Sequence, residues 1–411
     1  MTPAAARGAR PLVVILAFAV SLTGQARAQE PRYYAEGRKQ VREISGAIPG
    51  DAVRLRIETD RGTVRIQPAS GDAVTYRIRL RAGGADAAET RRRLDRMVIS
   101  ASRTGDLIEF SGSLPARGAS HLGVEAEFEF AIPARVVALE VATGAGSIEA
   151  SGARGRVALF TRGGRITARD IAGPLEAETR GGDVVAGAVG ATARLVSAGG
   201  NVSVESSTGN LTIQTSGGDV RIGRAGGEVR VETGGGNVRI EQAGRGVKVV
   251  SSGGDIEVVE AAGEVAASSA GGGIRIGSAA GGVRCETAAG AIVLGAVDGP
   301  VRAVTSAGSI RALLGGKGMP GDSDLQAWQG DIFVSLPETM PVTIRALVDS
   351  PVGQGIESDF PLTILSDLED TGRPLLIGEG VIGGGGPVLK IRTLGGRIHI
   401  LKVKRDKPDQ P

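Results

Sequence analysis

The sequence predicts an all-β protein built largely as a parallel two-sheet β-solenoid of 18-residue coils, with an N-terminal antiparallel β-rich cap containing one short helix. Three observations predict this fold. Glycine recurs every eighteen residues without an insertion, each unit holds two short alternating strands, and a unit of this length has no room for a helix as well. The recurring glycines are Gly146, Gly164, Gly182, Gly200, Gly218, Gly236, Gly254, Gly272, Gly290 and Gly308.

Each unit carries apolar residues at four fixed positions. When the recurring glycine is counted as offset 0, these are offsets 2 and 4 in the first strand and offsets 11 and 13 in the second. In the unit that begins at Gly218 they are Val220, Ile222, Val229 and Val231. Alternation with period two means that both strands bury one face, and we expect them to bury it against each other. Glycine at offset 0, and at offset 9 in seven of nine units, is interpreted as supplying turns with positive φ.

Offset 15 has the parity of an inward position but always holds a hydroxyl side chain. A stacked row of serine and threonine at a corner can hydrogen-bond to turn backbone groups that strand pairing leaves unsatisfied. We therefore expect a structural role for this row. Its members are Thr161, Thr179, Ser197, Thr215, Thr233, Ser251, Ser269, Thr287 and Thr305.

Offset 1 alternates between aspartate and asparagine in five consecutive units. Amides between the carboxylates would reduce the like-charge repulsion along a stacked column. The pattern is typical of turn chemistry; the alternative is a row of Ca²⁺ sites, although the calcium-binding nonapeptide places its aspartate further from the glycines. We expect no cofactor, with Ca²⁺ as the alternative. The ladder is Asp183, Asn201, Asp219, Asn237 and Asp255.

Two outward positions carry broken stripes of basic residues, one on each sheet. Glutamates at offset 14 lie beside the second stripe, so charge pairing on a solvated face is the first interpretation. Contact with acidic glycans or anionic lipid headgroups is the second. The stripe at offset 3 is Arg221, Arg239, Arg275 and Arg311, and the stripe at offset 12 is Arg194, Arg230, Lys248, Arg284 and Arg302.

Residues 1–28 have the features of a secretory signal peptide. Arg7 and Arg10 precede an apolar run over residues 11–22, and Ala26-Arg27-Ala28 forms a cleavage site. The run is too short for a convincing membrane span, so we expect an exported mature chain without a transmembrane segment, in the periplasm, on the cell surface or secreted. The whole chain has 48 basic and 45 acidic residues, and three arginines leave with this peptide. The resulting balance does not favour nucleic-acid binding.

The solenoid needs caps, because its end coils would otherwise expose unpaired strands. Residues 29–140 are predicted as the β-rich cap, with strands near residues 52–57, 63–67, 74–81, 96–102, 106–111 and 124–131 and a helix over residues 86–97. Residues 141–314 form the solenoid, residues 315–403 irregular C-terminal coils and a cap, and residues 404–411 a disordered tail.

Catalytic and metal-binding patterns find little support in the sequence. His121 and His399 are far apart and lack metal-ligand neighbours at the usual spacing. Cys285 occupies an inward apolar offset and is interpreted as a small buried hydrophobe. Carboxylates are plentiful, but no pair stands out as a sugar-cleaving site. We therefore assign no catalytic, cofactor-binding or metal-binding residue.

Three phrases give the chain a family resemblance. They are residues 58–66 (Glu-Thr-Asp-Arg-Gly-Thr-Val-Arg-Ile), residues 355–362 (Gly-Ile-Glu-Ser-Asp-Phe-Pro-Leu) and residues 380–387 (Gly-Val-Ile-Gly-Gly-Gly-Gly-Pro), together with the recurrent Ser/Thr-x-Gly-Gly-Asp/Asn-Val unit. With them the chain resembles the bacterial β-strand-repeat "putative adhesin" family, a domain of unknown function. The resemblance implies an exported, envelope-associated β-repeat protein and supplies no catalytic residues.

Two functional hypotheses follow. The first is a non-enzymatic envelope or cell-surface β-repeat protein, adhesin-like or scaffolding, whose sheet faces bind glycan, lipid or protein partners through many weak contacts. The alternative is a carbohydrate-active β-helix enzyme, a polysaccharide lyase or hydrolase. A cluster of two or three carboxylates with an arginine or lysine in a cleft would favour the alternative.

Overall fold

The computed structural model describes residues 27–28, 30–49, 53–114, 123–315, 320–349, 355–368 and 374–403. Within these ranges the chain forms two large sheets and one helix, and the predicted fold class is confirmed. The predicted signal peptide lies outside the described residues except for Arg27 and Ala28. His121 and the predicted tail over residues 404–411 also lie outside them.

The elements are numbered in chain order. The N-terminal elements are β1 Arg27–Ala28, β2 Arg32–Glu36, β3 Lys39–Ile48, β4 Arg54–Thr59, β5 Thr63–Pro68, β6 Val74–Gly83, α1 Ala87–Asp95, β7 Val98–Thr104, β8 Leu107–Ser113, β9 Val124–Ile132 and β10 Ala138–Thr143. The array strands are β11 Ile148–Ser151, β12 Arg156–Thr161, β13 Ile166–Arg169, β14 Leu175–Thr179, β15 Val184–Val189, β16 Ala193–Ser197, β17 Val202–Ser207, β18 Leu211–Thr215, β19 Val220–Ala225, β20 Val229–Thr233, β21 Val238–Ala243, β22 Val247–Ser251, β23 Ile256–Ala261, β24 Val265–Ser269, β25 Ile274–Ala279, β26 Val283–Thr287, β27 Ile292–Val297, β28 Val301–Ala307 and β29 Ile310–Leu314. The C-terminal strands are β30 Ser323–Gln329, β31 Ile332–Leu336, β32 Val342–Asp349, β33 Ile356–Ser358, β34 Thr363–Leu368, β35 Pro374–Ile382, β36 Val388–Thr393 and β37 Ile398–Lys402.

The array runs from β10 to β29 as ten rungs, each with one strand in each sheet. Sheet A holds the odd-numbered array strands and sheet B the even-numbered ones. Neighbouring strands of the repeat units are parallel and shifted by eighteen residues, as in Ile148 opposite Ile166 and Val157 opposite Leu175. The predicted offsets 2, 4, 11 and 13 form the core between the sheets and are buried throughout.

Sheet A buries a third position that the sequence analysis missed. Offset 7 is buried in nine consecutive units, but two outward residues separate it from offset 4, so the alternation is interrupted once in each strand. A period-two pattern cannot continue across such an irregularity. The buried residues at offset 7 are Ala153, Ile171, Val189, Ser207, Ala225, Ala243, Ala261, Ala279 and Val297.

At the N-terminal end the stacking order differs from the chain order. Strands β4 and β5 pair in parallel with β10 and β11 on one side and with β8 and β9 on the other, so the first rung of the chain lies between two later ones. Antiparallel strands β6, β3 and β2 extend sheet A, and β7 ends sheet B. Helix α1 contacts β3 and β6 and buries Leu94 completely.

The C-terminal end repeats this arrangement. Strands β36 and β37, the last rung of the chain, pair with β30 and β31 on one side and with β32 and β33 on the other. Antiparallel strands β35 and β34 then extend sheet B. The stack therefore continues past residues 141–314 at both ends, and each terminal rung of the chain is paired on both edges. This protects its backbone from acting as an open edge.

Candidate functional site: the outward faces and the first corner

The corner between sheet B and the next strand of sheet A, here called the first corner, spans offset 15 to offset 1 of the following unit. Its buried hydroxyl links two rungs. Ser269 Oγ donates to the Gly254 carbonyl at 3.0 Å and accepts from the Gly272 N–H at 2.9 Å. Thr179 and Ser197 repeat the pattern with their own glycines. The predicted structural role of the hydroxyl row is therefore confirmed.

The reason for glycine at this corner differs from the interpretation given above. Of the ten recurring glycines, only Gly146 and Gly308 have φ between +20° and +160°. At Gly236 a Cβ atom would lie 2.1 Å from the Gly218 carbonyl oxygen of the preceding rung, and at Gly164 it would lie 1.8 Å from the Gly146 oxygen. Most of these glycines are thus required by the close stacking of backbones rather than by a left-handed turn.

The Asp/Asn ladder lies on the exposed side of the first corner, and its side-chain oxygens accept backbone bonds from the next rung. The Asn201 Oδ1 accepts from the Asp219 N–H at 2.8 Å, and the Asn237 Oδ1 from the Asp255 N–H at 2.9 Å. Asp183 accepts from the Asn201 N–H and also from Arg165. These two donors, the backbone one first, hold the pKa of Asp183 below its usual value. One side-chain oxygen of each ladder residue therefore accepts a backbone hydrogen bond that joins neighbouring rungs.

The sheet B stripe forms one column across seven strands, from Arg194 in β16 to Arg302 in β28. Most of its charged side chains bond to other side chains on the same outward face of sheet B. Arg230 bonds to Glu232 and Arg284 to Glu286 two residues further along the same strands. The hydrogen bond from Arg230 is also the main cause of a lowered pKa at Glu232. Because these pairs are exposed, each contributes little to stability.

Two further members of the sheet B stripe have different partners. Arg194 donates to Gln214 at 3.1 Å, and Arg302 bonds to Asp324 at 3.0 Å across to the next strand. Lys248 stands directly opposite Arg230, so two like charges adjoin there. Sheet B therefore presents a mixed pattern of charges that contains a basic column interrupted at Thr212 and Ala266.

The sheet A stripe is less evenly neutralised. Arg239 is bonded to both Glu241 and Glu257. Arg221 and Arg275 are exposed and make no ion pair within the part of the chain that the structure describes. Arg311 lies over the Phe333 ring, 5.1 Å from its centroid. The stripe therefore leaves two guanidinium groups free for an external partner.

The sequence analysis missed the continuation of this stripe. Phe333 stacks on His399 with ring centroids 4.6 Å apart and planes 5° apart, and His399 Nδ1 lies 3.0 Å from Glu357. With Arg311 these residues form a column across β29, β31, β37 and β33. The sequence signal is that residues 329–334 and 394–400 resemble the start of the repeat unit, but their adjacency depends on the rearranged rung order.

An ionic network covers sheet A at the N-terminal end, beside a groove of about 650 Å³. Arg79 and Arg81 lie within 3.2 Å of Glu127, and Arg65 also contacts it. Arg79 contacts Glu129 at 2.9 Å. This is one of two described clusters that resemble the carboxylates-plus-arginine arrangement set out for the enzyme hypothesis. However, Arg79 and Glu127 are direct partners in an antiparallel pair, a common way to stabilise a sheet.

The second such cluster is on sheet B, where Arg56 lies within 3.9 Å of Glu58, Glu109 and Glu140 beside a groove of about 410 Å³. There Arg56 is the direct strand partner of Glu109 and Glu140.

Other reactive groups are limited in the described part of the chain. Cys285 is buried, and burial raises the pKa of its thiol to about 12, which makes it a poor nucleophile at neutral pH. No group of three or more described histidine, cysteine or acidic residues could hold a metal ion. No described helix has the length and hydropathy of a membrane span.

The register, the stacked corner and the polar outward faces define a two-sheet parallel β-solenoid of the repeat class. The chain belongs to the Toastrack DUF4097 family, a domain of unknown function, whose match covers residues 53–278. No curated protein matches the sequence.

One solved structure is similar, described as a "putative cell adhesion protein" from Clostridium sporogenes ATCC 15579. It has 9% sequence identity over 91% of this chain and 100% of that chain, with a TM-score of 0.17. At that level the fold assignment rests on this chain's own strand register and on the family match. Neither comparison attaches an enzymatic activity to the chain.

Proposed function

We propose that this protein is a non-enzymatic, exported envelope or cell-surface module that binds its partner through the outward faces of the solenoid. One observation carries the proposal. The eighteen-residue register aligns the basic stripe of sheet B in a single column, so that basic side chains occupy five of seven successive rungs, at a rung spacing of about 4.8 Å. A face of this kind offers many equivalent weak contacts to a repeating or extended partner, and weak contacts acting together give avidity.

The partner proposed is an envelope component, either a glycan, a lipid surface or a protein. A polymer such as an envelope polysaccharide matches the column best, because its own repeat can engage several rungs at once. The free guanidinium groups of Arg221 and Arg275 on sheet A offer a second, sparser row. In contrast, the ion-paired carboxylates at Glu127 and Glu129 favour a structural role over hydrolysis or lyase chemistry.

The test is retention of the purified exported protein on immobilised envelope polysaccharide, lipid and protein fractions at low salt. A triple variant, Arg230→Gln with Lys248→Gln and Arg284→Gln, removes the centre of the sheet B column. We expect its retention to fall by about tenfold or more, because each lost contact is multiplied across the column. The matched control is Arg162→Gln with Arg180→Gln and Arg245→Gln, which removes the same charge from exposed corner positions outside both stripes and should leave retention unchanged.

Two outcomes would contradict the proposal. Lack of retention on all three fractions at low salt would remove the binding function itself. Cleavage of an envelope polysaccharide by the wild-type protein, abolished in a Glu127→Gln and Glu129→Gln variant, would establish the carbohydrate-active enzyme instead.

A further inference from the structure

The end of the rod formed by β2 and α1, here called the N-end, differs from the faces in its charge pairing. Arg32, Arg38, Arg91, Arg92 and Arg96 are exposed there, and none forms an ion pair with a residue that the structure describes. On the faces, by contrast, most arginines of the two stripes are bonded to carboxylates or amides.

The arginines of α1 adjoin β2 because the helix and the strand are in contact, whereas Arg32 points to the other face of β2, opposite Glu43. Tyr33 donates a hydrogen bond to Asp95 near the end of α1, and the Arg91 guanidinium lies 5.8 Å from the centre of the Tyr33 ring. Helix α1 packs on β3 and β6 through Thr90 and Leu94. Its opposite side, with Arg92 and Arg96, therefore points away from the sheet.

The nearby acids are partly engaged and do not balance this charge. Asp86 caps the helix by accepting from the Ala88 N–H, and Glu36 is paired with Arg81. Exposed Glu30 and Glu89 remain. The N-end is thus locally positive, whereas the chain without residues 1–28 is balanced overall.

Two exposed tyrosines of β2 lie at the N-end, Tyr33 on the face that contacts α1 and Tyr34 on the opposite face, which it shares with Arg32. Tyr33 and Tyr34 are both more than a third exposed, each with its hydroxyl bonded to a carboxylate. Tyrosine beside arginine is the combination that lies at membrane–water interfaces, where the ring meets the acyl boundary and the guanidinium meets lipid phosphates.

We infer that the N-end is a docking surface for an anionic lipid bilayer. The sequence supports this occupant over others, because the apolar run over residues 11–22 ends about ten residues before β2 begins at Arg32. During export, the N-end is therefore the part of the rod held beside the membrane. After cleavage, the free arginines keep it there, the rod stands away from the membrane, and its binding faces remain accessible. This anchoring does not depend on which partner the faces bind.

The experiment uses the protein isolated from the exported fraction, with its N-terminus identified by mass spectrometry. Co-sedimentation is measured with vesicles of phosphatidylcholine alone and of phosphatidylcholine mixed with phosphatidylglycerol. The test variant is Arg91→Gln with Arg92→Gln and Arg96→Gln. The control is Arg162→Gln with Arg180→Gln and Arg245→Gln, which removes equal charge from exposed corner positions outside both basic stripes. Circular dichroism confirms that both variants fold.

We expect binding to the anionic vesicles only, weakened by salt. The α1 variant should bind at least about tenfold more weakly, since each arginine near such a surface contributes about fivefold. The corner variant should bind as the wild type does.

Three outcomes would overturn the inference. The wild type could show no preference for anionic vesicles, or both variants could lose binding equally, which would make net charge the cause. Alternatively, the same three arginines could retain the protein on a sulfated polysaccharide without vesicle binding, which would assign the N-end to a glycan.

Discussion

The two corners of each rung differ in how strictly glycine is retained, although the sequence places glycine at both. At the first corner glycine occupies offset 0 in ten of ten units, and a Cβ there would meet a carbonyl oxygen of the rung before, at 2.1 Å in the case of Gly236. At the second corner, around offset 9, Ala191 and Arg245 replace glycine. The glycines that remain at the second corner are also closely stacked, since a Cβ at Gly173 would lie 2.2 Å from the Gly155 carbonyl oxygen. Close backbone stacking is therefore common to both corners, and what differs is that the second corner accepts a side chain in two rungs whereas the first accepts one in none.

The largest effect is expected from filling the first corner. Gly236→Ala should cost about 3 kcal/mol or more of unfolding free energy, because the rungs must move apart to admit the methyl group. Gly235→Ala is the matched control one residue earlier, since a Cβ there meets no atom within 4 Å and φ is not left-handed. It should leave stability unchanged or raise it by about 0.5–1 kcal/mol.

Chemical denaturation of the two variants measures this contrast. Equal destabilisation would mean that glycine serves flexibility at this corner and that the stacking explanation is wrong.

A second, smaller effect is expected from the hydroxyl row. Ser269→Ala removes the donor to the Gly254 carbonyl and the acceptor for the Gly272 N–H, and both groups stay buried. Leaving such groups unsatisfied should cost about 1–3 kcal/mol. Ser268→Ala, at the neighbouring outward position, is the control and should change stability by less than about 0.5 kcal/mol. Similar values for the two variants would show that solvent replaces the hydroxyl at the corner.

The same comparison shows what could be predicted from the sequence. The strand offsets and the hydroxyl row follow from an unbroken repeat, because each rung pairs with its neighbour eighteen residues away. The burial of offset 7 was not predicted, because the period-two alternation is interrupted just before it, as it is before Ala225. The terminal rungs carry the same local sequence pattern as the array, since the hydroxyl residue Thr59 and the glycine Gly62 have the spacing of Thr233 and Gly236.

The position of those terminal rungs in the stack was not visible. Val64 pairs with Ile148, and Ile332 pairs with Ile398. Periodicity fixes which residues face the core, but it does not say which distant rung lies alongside. For that reason the Phe333–His399 stack and the N-end surface emerged only from the structure.

The Asp/Asn ladder extends the comparison to the exposed side of the first corner. Asn237→Ala should cost about 0.5–1 kcal/mol, because its oxygen accepts the Asp255 N–H but water can take its place. Asn237→Asp keeps the acceptor and puts three carboxylates in a row with Asp219 and Asp255. It should be less stable at low salt and recover at high salt. Thermal unfolding across a salt series measures both variants. A rise in the wild-type midpoint on adding Ca²⁺ would instead support the calcium alternative.

The smallest expected effect is a pH dependence of stability that comes from Asp183, the first residue of the Asp/Asn ladder. The Asn201 N–H and Arg165 bond the charged form of Asp183, so its folded pKa lies below the unfolded value of about 3.9. Its contribution is therefore present above that unfolded value and is lost as the pH falls through the folded pKa. Asp183→Asn should unfold at a lower temperature than the wild type at about pH 7, and the difference should shrink below about pH 4. Because the carboxylate is partly exposed, the difference should be modest. If the difference in unfolding temperature stays constant across this pH range, Asp183→Asn acts only by altering the hydrogen-bond geometry. The charge of Asp183 would then not stabilise the first corner.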